Sequence, residues 1–216
     1  MSIRLQSIVL SSLLAISAQV AHAAIFDFAN LVDTSNGSIS GTLANGTVFS
    51  GNPSEAAFSN FTWNVDNLSL TASGSHATDT SVYAYLDKGN AGLGVCQNAT
   101  SSNQCSPSSD DNVTLNEVLY LSFDKIATID FSDSVFRNSG HGVFNPSIEI
   151  NIDGLGWNAL DITGLLTASL FEFRVLNDRE QFYISSLSVT PVPEPSTYLL
   201  MGLGLLVLGL SLRKQP

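Results

Sequence analysis

The sequence predicts an all-β fold, a single antiparallel two-sheet sandwich of jelly-roll type, between an N-terminal signal peptide and a C-terminal transmembrane helix. Clusters of Gly, Asn, Ser, Asp and Thr recur roughly every eight to twelve residues, as in the turns of an all-β domain. Before the C-terminal tail, no segment repeats its apolar residues with a helical period. Short strands with loop-rich connections favour a sandwich, and a closed barrel is the alternative.

Strand positions follow from the alternation of apolar and polar residues. The isoleucines of "SIEINID" (147–153) alternate with polar residues, and so do the apolar residues of "SLFEFRV" (169–175). This period of two indicates half-buried strands. Further strands are predicted at Ala24–Val32, Ser38–Leu43, Thr47–Ser50, Phe58–Asn64, Leu68–Ala72, Val82–Leu86, Glu117–Asp124, Thr128–Phe131 and Phe182–Thr190.

Two local signals refine this strand pattern. Asn45-Gly46 lies between two predicted strands, and Asn-Gly is the strongest short-range signal of a β-hairpin. In "QFYISSLSVT" the alternation changes phase at Ser185-Ser186. We therefore expect a hairpin at the first position and a β-bulge in the last strand.

The N-terminal segment, residues 1–23, has the features of a secretory signal peptide. Arg4 precedes a short apolar run, and Ala21 and Ala23 form an A-x-A cleavage site. The apolar run is too short to span a bilayer. We therefore expect an exported protein whose mature chain begins at Ala24.

Residues 24–190 form the predicted ectodomain, which has the length of one domain. Three of the eight basic residues and one of the nineteen acidic residues lie outside it, which leaves a net charge of about −13. A surface this acidic repels nucleic acid and anionic headgroups, and it is compatible with cations or neutral sugars. The charge therefore argues against DNA or RNA as a partner.

Cys96 and Cys105 are the only cysteines of the chain. The signal peptide implies export to an oxidising compartment, where such a pair forms a disulfide. Their spacing matches no redox motif, and two thiols are too few for a zinc site. We expect a disulfide that closes a small loop.

The C-terminal segment, residues 191–216, reads "PVPEPSTYLLMGLGLLVLGLSLRKQP". Its prolines impose an extended hinge, because proline fixes its own φ and disfavours helix in the residue before it. A Leu- and Gly-rich stretch follows, near the lower length limit for a transmembrane helix. Arg213 and Lys214 then mark a cytoplasmic end by the positive-inside rule.

The order of "VPEPST", an apolar span and a basic end closely resembles the PEP-CTERM sorting signal of exported bacterial proteins. The resemblance implies an exosortase-type membrane protease as a partner, with Pro193, Glu194 and Pro195 as its recognition residues. It also implies a precursor anchored in the inner membrane by the C-terminal helix. Removal of that anchor would release the protein to the cell surface or the extracellular matrix.

Two sets of residues in the ectodomain are candidates for binding. Asp110, Asp111 and Glu117 follow the disulfide, and grouped carboxylates of this kind can hold Ca²⁺. Trp157, in a Gly-rich turn, is a candidate for stacking against a sugar. Solvation of a loop and packing of a core are the alternative roles of these residues.

Function is predicted mainly from the route and from the lack of a catalytic signature. His76 and His141 lie in Gly- and Ser-containing loops, and the chain has no G-x-S-x-G or H-E-x-x-H motif. The sequence therefore predicts a non-enzymatic structural or adhesive protein linked to exopolysaccharide or biofilm. A calcium-assisted carbohydrate-binding module is the alternative, and a secreted hydrolase comes third.

Overall fold

A computed structural model describes residues 22–79, 81–177 and 179–193, of which His22–Val192 form one compact unit. One short helix, α1, spans Phe28–Asp33. The strands of the described residues are β1 Ala24–Asp27, β2 Ile39–Leu43, β3 Val48–Gly51, β4 Ala56–Val65, β5 Leu68–His76, β6 Tyr83–Asp87, β7 Gly92–Cys96, β8 Glu117–Arg137, β9 Ile148–Ile152, β10 Trp157–Ala159, β11 Leu165–Val175 and β12 Tyr183–Pro191.

Six of these strands form a closed barrel. Strand β4 pairs with β5, β5 with β8, β8 with β12, β12 with β7, β7 with β6, and β6 with β4. All six pairings are antiparallel. The other strands extend the sheet from the barrel: β11, β9 and β10 beyond β8, β2 and β3 beyond β4, and β1 beside β12.

The prediction of an all-β chain is confirmed, but the prediction of a two-sheet sandwich is wrong. The long strand β8 is the physical reason. One of its edges pairs first with β5, through Glu117–Phe123, and then with β12, through Ala127–Arg137. A single strand therefore joins parts of the sheet that a sandwich would keep apart, and the hydrogen-bonded circuit closes.

The hydrophobic core contains aromatic side chains that contact one another edge to face. Phe26 contacts the edges of Trp63 and Phe123, with ring centroids 5.4 and 5.9 Å apart, and Phe123 contacts Phe171 at 5.8 Å. All four side chains are buried. Edge-to-face contacts of this kind are favourable for aromatic rings and fix their orientation in a core.

Most predicted strands are confirmed, and the differences have local causes. The strand predicted for Ala24–Val32 stops at Asp27, whose side chain caps α1 by accepting a hydrogen bond from the Asn30 backbone N–H at 2.9 Å. The predicted hairpin at Asn45-Gly46 joins β2 to β3. The predicted bulge in the last strand is also confirmed, since the register of β12 shifts on both sides of Ser186.

The predicted transmembrane helix lies outside the described residues. Within the ranges that the structure describes, no helix has both the length and the apolar character needed to cross a membrane.

Candidate functional site

One rim of the barrel gathers polar side chains from separate strand ends. Asp87 ends β6, Tyr183 begins β12, and His141 lies on the loop that follows β8. The segment after the disulfide reaches the same rim, where Val113 exchanges two backbone hydrogen bonds with Phe182 at 2.8 and 3.2 Å. The fold thus brings together residues that are distant in the sequence.

Gly94 allows this segment to pack closely against the backbone of β7. A Cβ atom at this position would overlap the carbonyl oxygen of Asp111 and lie 2.8 Å from the Cα atom of Asn112. Only glycine leaves room for a backbone this close. The missing side chain in β7 therefore sets the position of Asp111 and Asn112.

Asp87 and His141 form a charged or proton-sharing pair. Oδ2 of Asp87 lies 3.3 Å from Nε2 of His141, and Nδ1 of His141 lies 2.9 Å from the carbonyl oxygen of Gly89. A carbonyl oxygen only accepts, so Nδ1 carries a proton and Nε2 shares one with Asp87. Both ring nitrogens are therefore engaged.

The loop that carries His141 is held by Arg137. Its Nη1 donates to the carbonyl oxygen of His141 at 2.8 Å, and its Nε donates to Oγ of Ser185 at 3.0 Å. The imidazole also contacts the ring of Tyr183 edge to face, with centroids 5.5 Å apart. These contacts fix the ring at the rim.

Asp111 and Tyr183 make a second polar pair beside the first, in which the Tyr183 hydroxyl donates to Oδ1 of Asp111. Burial raises the pKa of Asp111. Burial also raises the pKa of Asp87 to about 6, and the negative charge of Asp111 adds to this rise while His141 opposes it. The rim is therefore acidic, with carboxyl groups that protonate more readily than exposed ones.

A depression of about 450 Å³ opens over these pairs. Its lining adds Ser108, Ser109, Asn112, Ser139 and Gln181 to Asp111, His141 and Tyr183. Hydroxyl, amide and carboxylate groups dominate, and none of these eight residues is Lys or Arg. The depression is therefore suited to a ligand that offers hydroxyl groups rather than an anion.

Asn112 has an unsatisfied oxygen at this depression. Its side chain is only 2 % exposed, and Nδ2 donates to Oε1 of Gln181 at 3.3 Å. Oδ1 has no hydrogen-bond partner. Oδ1 is itself buried, and leaving a buried acceptor unpaired costs free energy.

A second depression, of about 340 Å³, lies on the barrel and includes Ser54, Glu55 and Lys88 in its lining. The Lys88 ammonium is 2.7 Å from the Glu55 carboxylate. Because an internal ion pair already satisfies the charged groups, this depression is the weaker candidate for a ligand.

The predicted disulfide is confirmed. Cys96 and Cys105 are bonded, with their Cα atoms 5.7 Å apart. Asn103, inside the closed loop, accepts hydrogen bonds from the backbone N–H groups of Asn45 and Ala57 at 2.9 and 2.8 Å. The disulfide loop therefore packs against the β2–β3 turn and the start of β4.

The three candidate calcium ligands have separate environments. Asp110 accepts from the backbone N–H of Gln97 at 3.2 Å, and Asp111 accepts from Tyr183. Glu117 is fully buried and accepts from the N–H and Oγ1 of Thr114 at 2.6 and 2.8 Å. Among the described residues, no three His, Cys, Asp or Glu side chains are grouped as metal ligands.

Trp157, the candidate sugar-stacking residue, is half-buried on β10. The guanidinium of Arg174 lies 4.1 Å from the centre of its ring, and Arg174 also pairs with Glu149 at 2.6 Å. One face of the indole is therefore covered by a cation. Trp157 lies on the outer strands and not at the rim.

The terminal site residues fall only partly within the described chain. Ala23 and Pro193 are exposed, whereas Ala21, Glu194 and Pro195 lie outside the described residues. Strand β12 ends at Pro191, and the Val192 N–H donates to the carbonyl oxygen of Ile126 at 2.8 Å. The Pro-Glu-Pro sequence thus begins directly after the closing strand of the barrel.

The sequence indicated His141 as a loop hydrogen-bonder but missed Asp87 and Tyr183. Each lies at the end of a predicted strand, which is where binding residues of β proteins often lie. Only the barrel closure, which a sequence pattern does not contain, brings them next to His141.

Comparisons with known proteins inform the C-terminal segment. Residues 191–214 match the family model of the PEP-CTERM protein-sorting motif. No curated protein and no solved structure matches the chain. The motif supports an exosortase-sorted, exported protein with a membrane-anchored precursor directed toward the cell surface. Residues 191–214 of the chain therefore carry a PEP-CTERM protein-sorting motif.

Proposed function

We propose that the mature ectodomain is a non-catalytic structural or adhesive component of the cell surface or extracellular matrix that binds exopolysaccharide. The observation that carries the proposal is the rim depression, whose lining offers hydroxyl, amide and carboxylate groups. Neutral sugars present many hydroxyl groups, which donate to carboxylates and accept from amides. The sorting motif supports export toward the cell surface, where we expect such polymers to accumulate.

The charge of the ectodomain supports a neutral polymer. Residues 24–190 carry a net charge of about −13, and two of these acids, Asp87 and Asp111, lie close together at the rim. An acidic polysaccharide would be repelled by this field at low ionic strength. A neutral polysaccharide would bind with little dependence on salt.

The hydrogen bonding of the rim supports a non-catalytic role. Both nitrogens of His141 have partners, and Asp111 is bound by the Tyr183 hydroxyl. A general base must lie within hydrogen-bond reach of the proton that it takes from the substrate, and the two nitrogens of His141 both lie at such distances from groups of the protein itself. These side chains are instead arranged to hold one another in place.

Cosedimentation of the protein with the host's own exopolysaccharide tests the proposal. We expect the protein recovered from the cell surface to bind the neutral fraction, with no release of reducing sugars. Ser139→Trp would fill the depression from an exposed position and weaken binding about tenfold. Ser54→Trp, placed in the second depression, is the matched control and should bind as the unchanged protein does.

Different outcomes would overturn the polysaccharide role, the non-catalytic role and the role of the depression. Lack of binding to any fraction would overturn the polysaccharide role. Release of reducing ends would overturn the non-catalytic role. Equal binding by the Ser139→Trp and unchanged proteins would remove the depression from the binding surface.

A further inference from the structure

A row of hydroxyl side chains crosses five neighbouring strands on the outside of the sheet. The strand register aligns the members of this row directly opposite one another: Ser50 on β3, Ser40 on β2, Thr62 on β4, Thr71 on β5 and Ser122 on β8. Residues that face each other in this way share one face of the sheet. We call this set the hydroxyl row.

The hydroxyl row faces away from the core. Its members alternate along the strands with buried residues such as Trp63, Leu70 and Phe123. Ser40, Ser50 and Ser122 are exposed, and Thr62 and Thr71 are half-buried. With strands roughly 4.8 Å apart, the row spans about 19 Å. This is the length of an extended polymer segment rather than of a single small molecule.

A second row, two residues further along β5 and β8, adds aromatic rings. The register aligns its members across β5, β8, β11, β9 and β10: Ser73, Tyr120, Glu172, Asn151 and Trp157. The Asn151 amide donates to the Glu172 carboxylate at 2.7 Å, and Ser75 donates to the Tyr120 hydroxyl at 3.1 Å. The two rows lie about 7 Å apart.

We propose that these two rows form an extended binding surface for a neutral, hydroxyl-rich polysaccharide chain. This inference rests on the proposed function and assigns it a second surface, separate from the rim depression. Hydroxyl groups both donate and accept, so the row can match a polymer whose own hydroxyls repeat along its length. Tyr120 adds ring surface against which the apolar face of a sugar can pack.

The charged residues in and near the two rows indicate which kind of polymer fits this surface. Neither row contains Lys or Arg, and Glu172 lies in the second row. Arg174 is paired with Glu149, so its charge is offset locally. A polyanion such as a polyuronate would meet acidic groups, whereas a neutral chain would meet only hydrogen-bonding partners. The surface therefore fits a neutral chain.

The Thr62–Thr71 pair offers a direct test, because its two hydroxyl oxygens lie 2.9 Å apart at the centre of the hydroxyl row. Thr62→Val with Thr71→Val removes both hydroxyls and keeps the β-branched shape. The matched control is Thr128→Val with Thr167→Val, a similar pair at 2.7 Å that lies on β8 and β11 outside both rows. Ser122→Ala, at an exposed position of the row, is a second variant whose folding is at little risk.

Affinity electrophoresis of the full mature protein is the measurement, in gels containing the host's neutral exopolysaccharide, hydroxyethyl cellulose or polygalacturonate. We expect the neutral polymers to retard the protein and polygalacturonate to have little effect. The Thr62/Thr71 variant should bind about tenfold more weakly and Ser122→Ala should be weakened in the same direction, while the Thr128/Thr167 variant is unchanged.

The experiment distinguishes failure of the hydroxyl-row surface from failure of the proposed function. If the unchanged protein binds neutral polymer and the Thr62/Thr71 and Ser122→Ala variants bind equally well, the hydroxyl-row surface is wrong and the proposed function stands. Absence of any binding by the unchanged protein overturns both. Stronger retardation by polygalacturonate than by the neutral polymers overturns the assignment of a neutral chain.

Discussion

Glu117 is a carboxylic acid placed inside the barrel wall. It is 0 % exposed, and its Oε2 is bound by Thr114 while its Oε1 has no partner. Burial raises the pKa of Glu117 to about 7, although the hydrogen bonds from Thr114 oppose the rise. The protonated acid is therefore the form that the fold prefers.

This placement predicts how stability depends on pH. Because the folded pKa lies above that of the unfolded chain, the contribution of Glu117 is fully present below about pH 4.5 and is lost as pH rises to about 7. Glu117→Gln is neutral throughout this range. Its free energy of unfolding, relative to the unchanged protein, should rise by on the order of 2–3 kcal/mol between these pH values.

Urea unfolding from pH 4 to pH 8 measures this difference. Asp87 also has a raised pKa, of about 6, so only the comparison with the variant isolates Glu117. Asp66→Asn, at an exposed turn position, is the control and should show no such trend. A difference between Glu117→Gln and the unchanged protein that is constant across pH would contradict the buried-acid account.

The sequence contained a signal for this burial that our interpretation did not use. Glu117 shares the inward phase of β8 with Leu119, Leu121 and Phe123. The sequence suggested that Asp110, Asp111 and Glu117 together could bind calcium because they are close along the chain. Of these three residues only Glu117 lies on β8, where the inward phase of the strand buries it, whereas Asp110 and Asp111 precede the strand.

Strands were predictable where apolar and polar side chains alternate regularly along the chain. Strands β9 and β11 have such patterns and were predicted close to their observed bounds. Strand β7, "GLGVC", was missed because it is buried throughout and two of its residues are glycines. Strand β8 was predicted as two pieces because Lys125 and Ile126 interrupt the alternation. Register shifts in β11 beside this stretch show that the ladder is irregular there.

The disulfide loop is the element whose stability is easiest to test. Cys96 and Cys105 are separated by nine positions, and the loop between them packs on Asn45 and Ala57. Closing a loop of this size restricts the unfolded chain, which is worth about 2–3 kcal/mol. Replacing both cysteines with serine should lower the free energy of unfolding by about that amount, measured by chemical denaturation.

Its control is the unchanged protein under reducing conditions, which should lose a similar amount of stability. The segment that follows the disulfide carries Asp111 and Asn112 to the rim. We therefore expect the double variant to bind polysaccharide more weakly as well. Unaltered stability in both the variant and the reduced protein would contradict a stabilising role for the bond.

At the scale of the whole molecule, the sequence predicts an all-β fold but not the closure of its strands into a barrel. Sandwiches and barrels share short alternating strands, and they differ in which edges pair. Here closure depends on β8 pairing with both β5 and β12 and on the contact of Ile184 with Leu93 between β12 and β7. These are long-range pairings, so no local pattern specifies them.

The rim site depends on the same closure. His141, Asp87 and Tyr183 come from three segments that are neighbours only because β6, β7, β8 and β12 are joined. The sorting motif, by contrast, is a continuous stretch that a linear pattern describes fully. This difference explains why the sorting motif was easier to predict than the grouping of residues at the rim.

The position of the motif also bears on what processing leaves behind. Strand β12 ends at Pro191, which pairs with Ala127, and the last described hydrogen bond of the chain joins Val192 to Ile126. Cleavage beyond Pro193 would remove none of these pairings. We therefore expect the barrel to remain closed in the mature protein.

We expect this protein to be exported, freed from its membrane anchor by exosortase and retained at the surface or in the matrix. Intact mass with terminal peptide mapping, on protein recovered from the host's surface and medium, tests it most directly. The account predicts a chain that begins at Ala24, lacks the segment after the Pro-Glu-Pro sequence and is two hydrogens short at Cys96 and Cys105. A chain that continues to Pro216 and is found only in the inner membrane would contradict it.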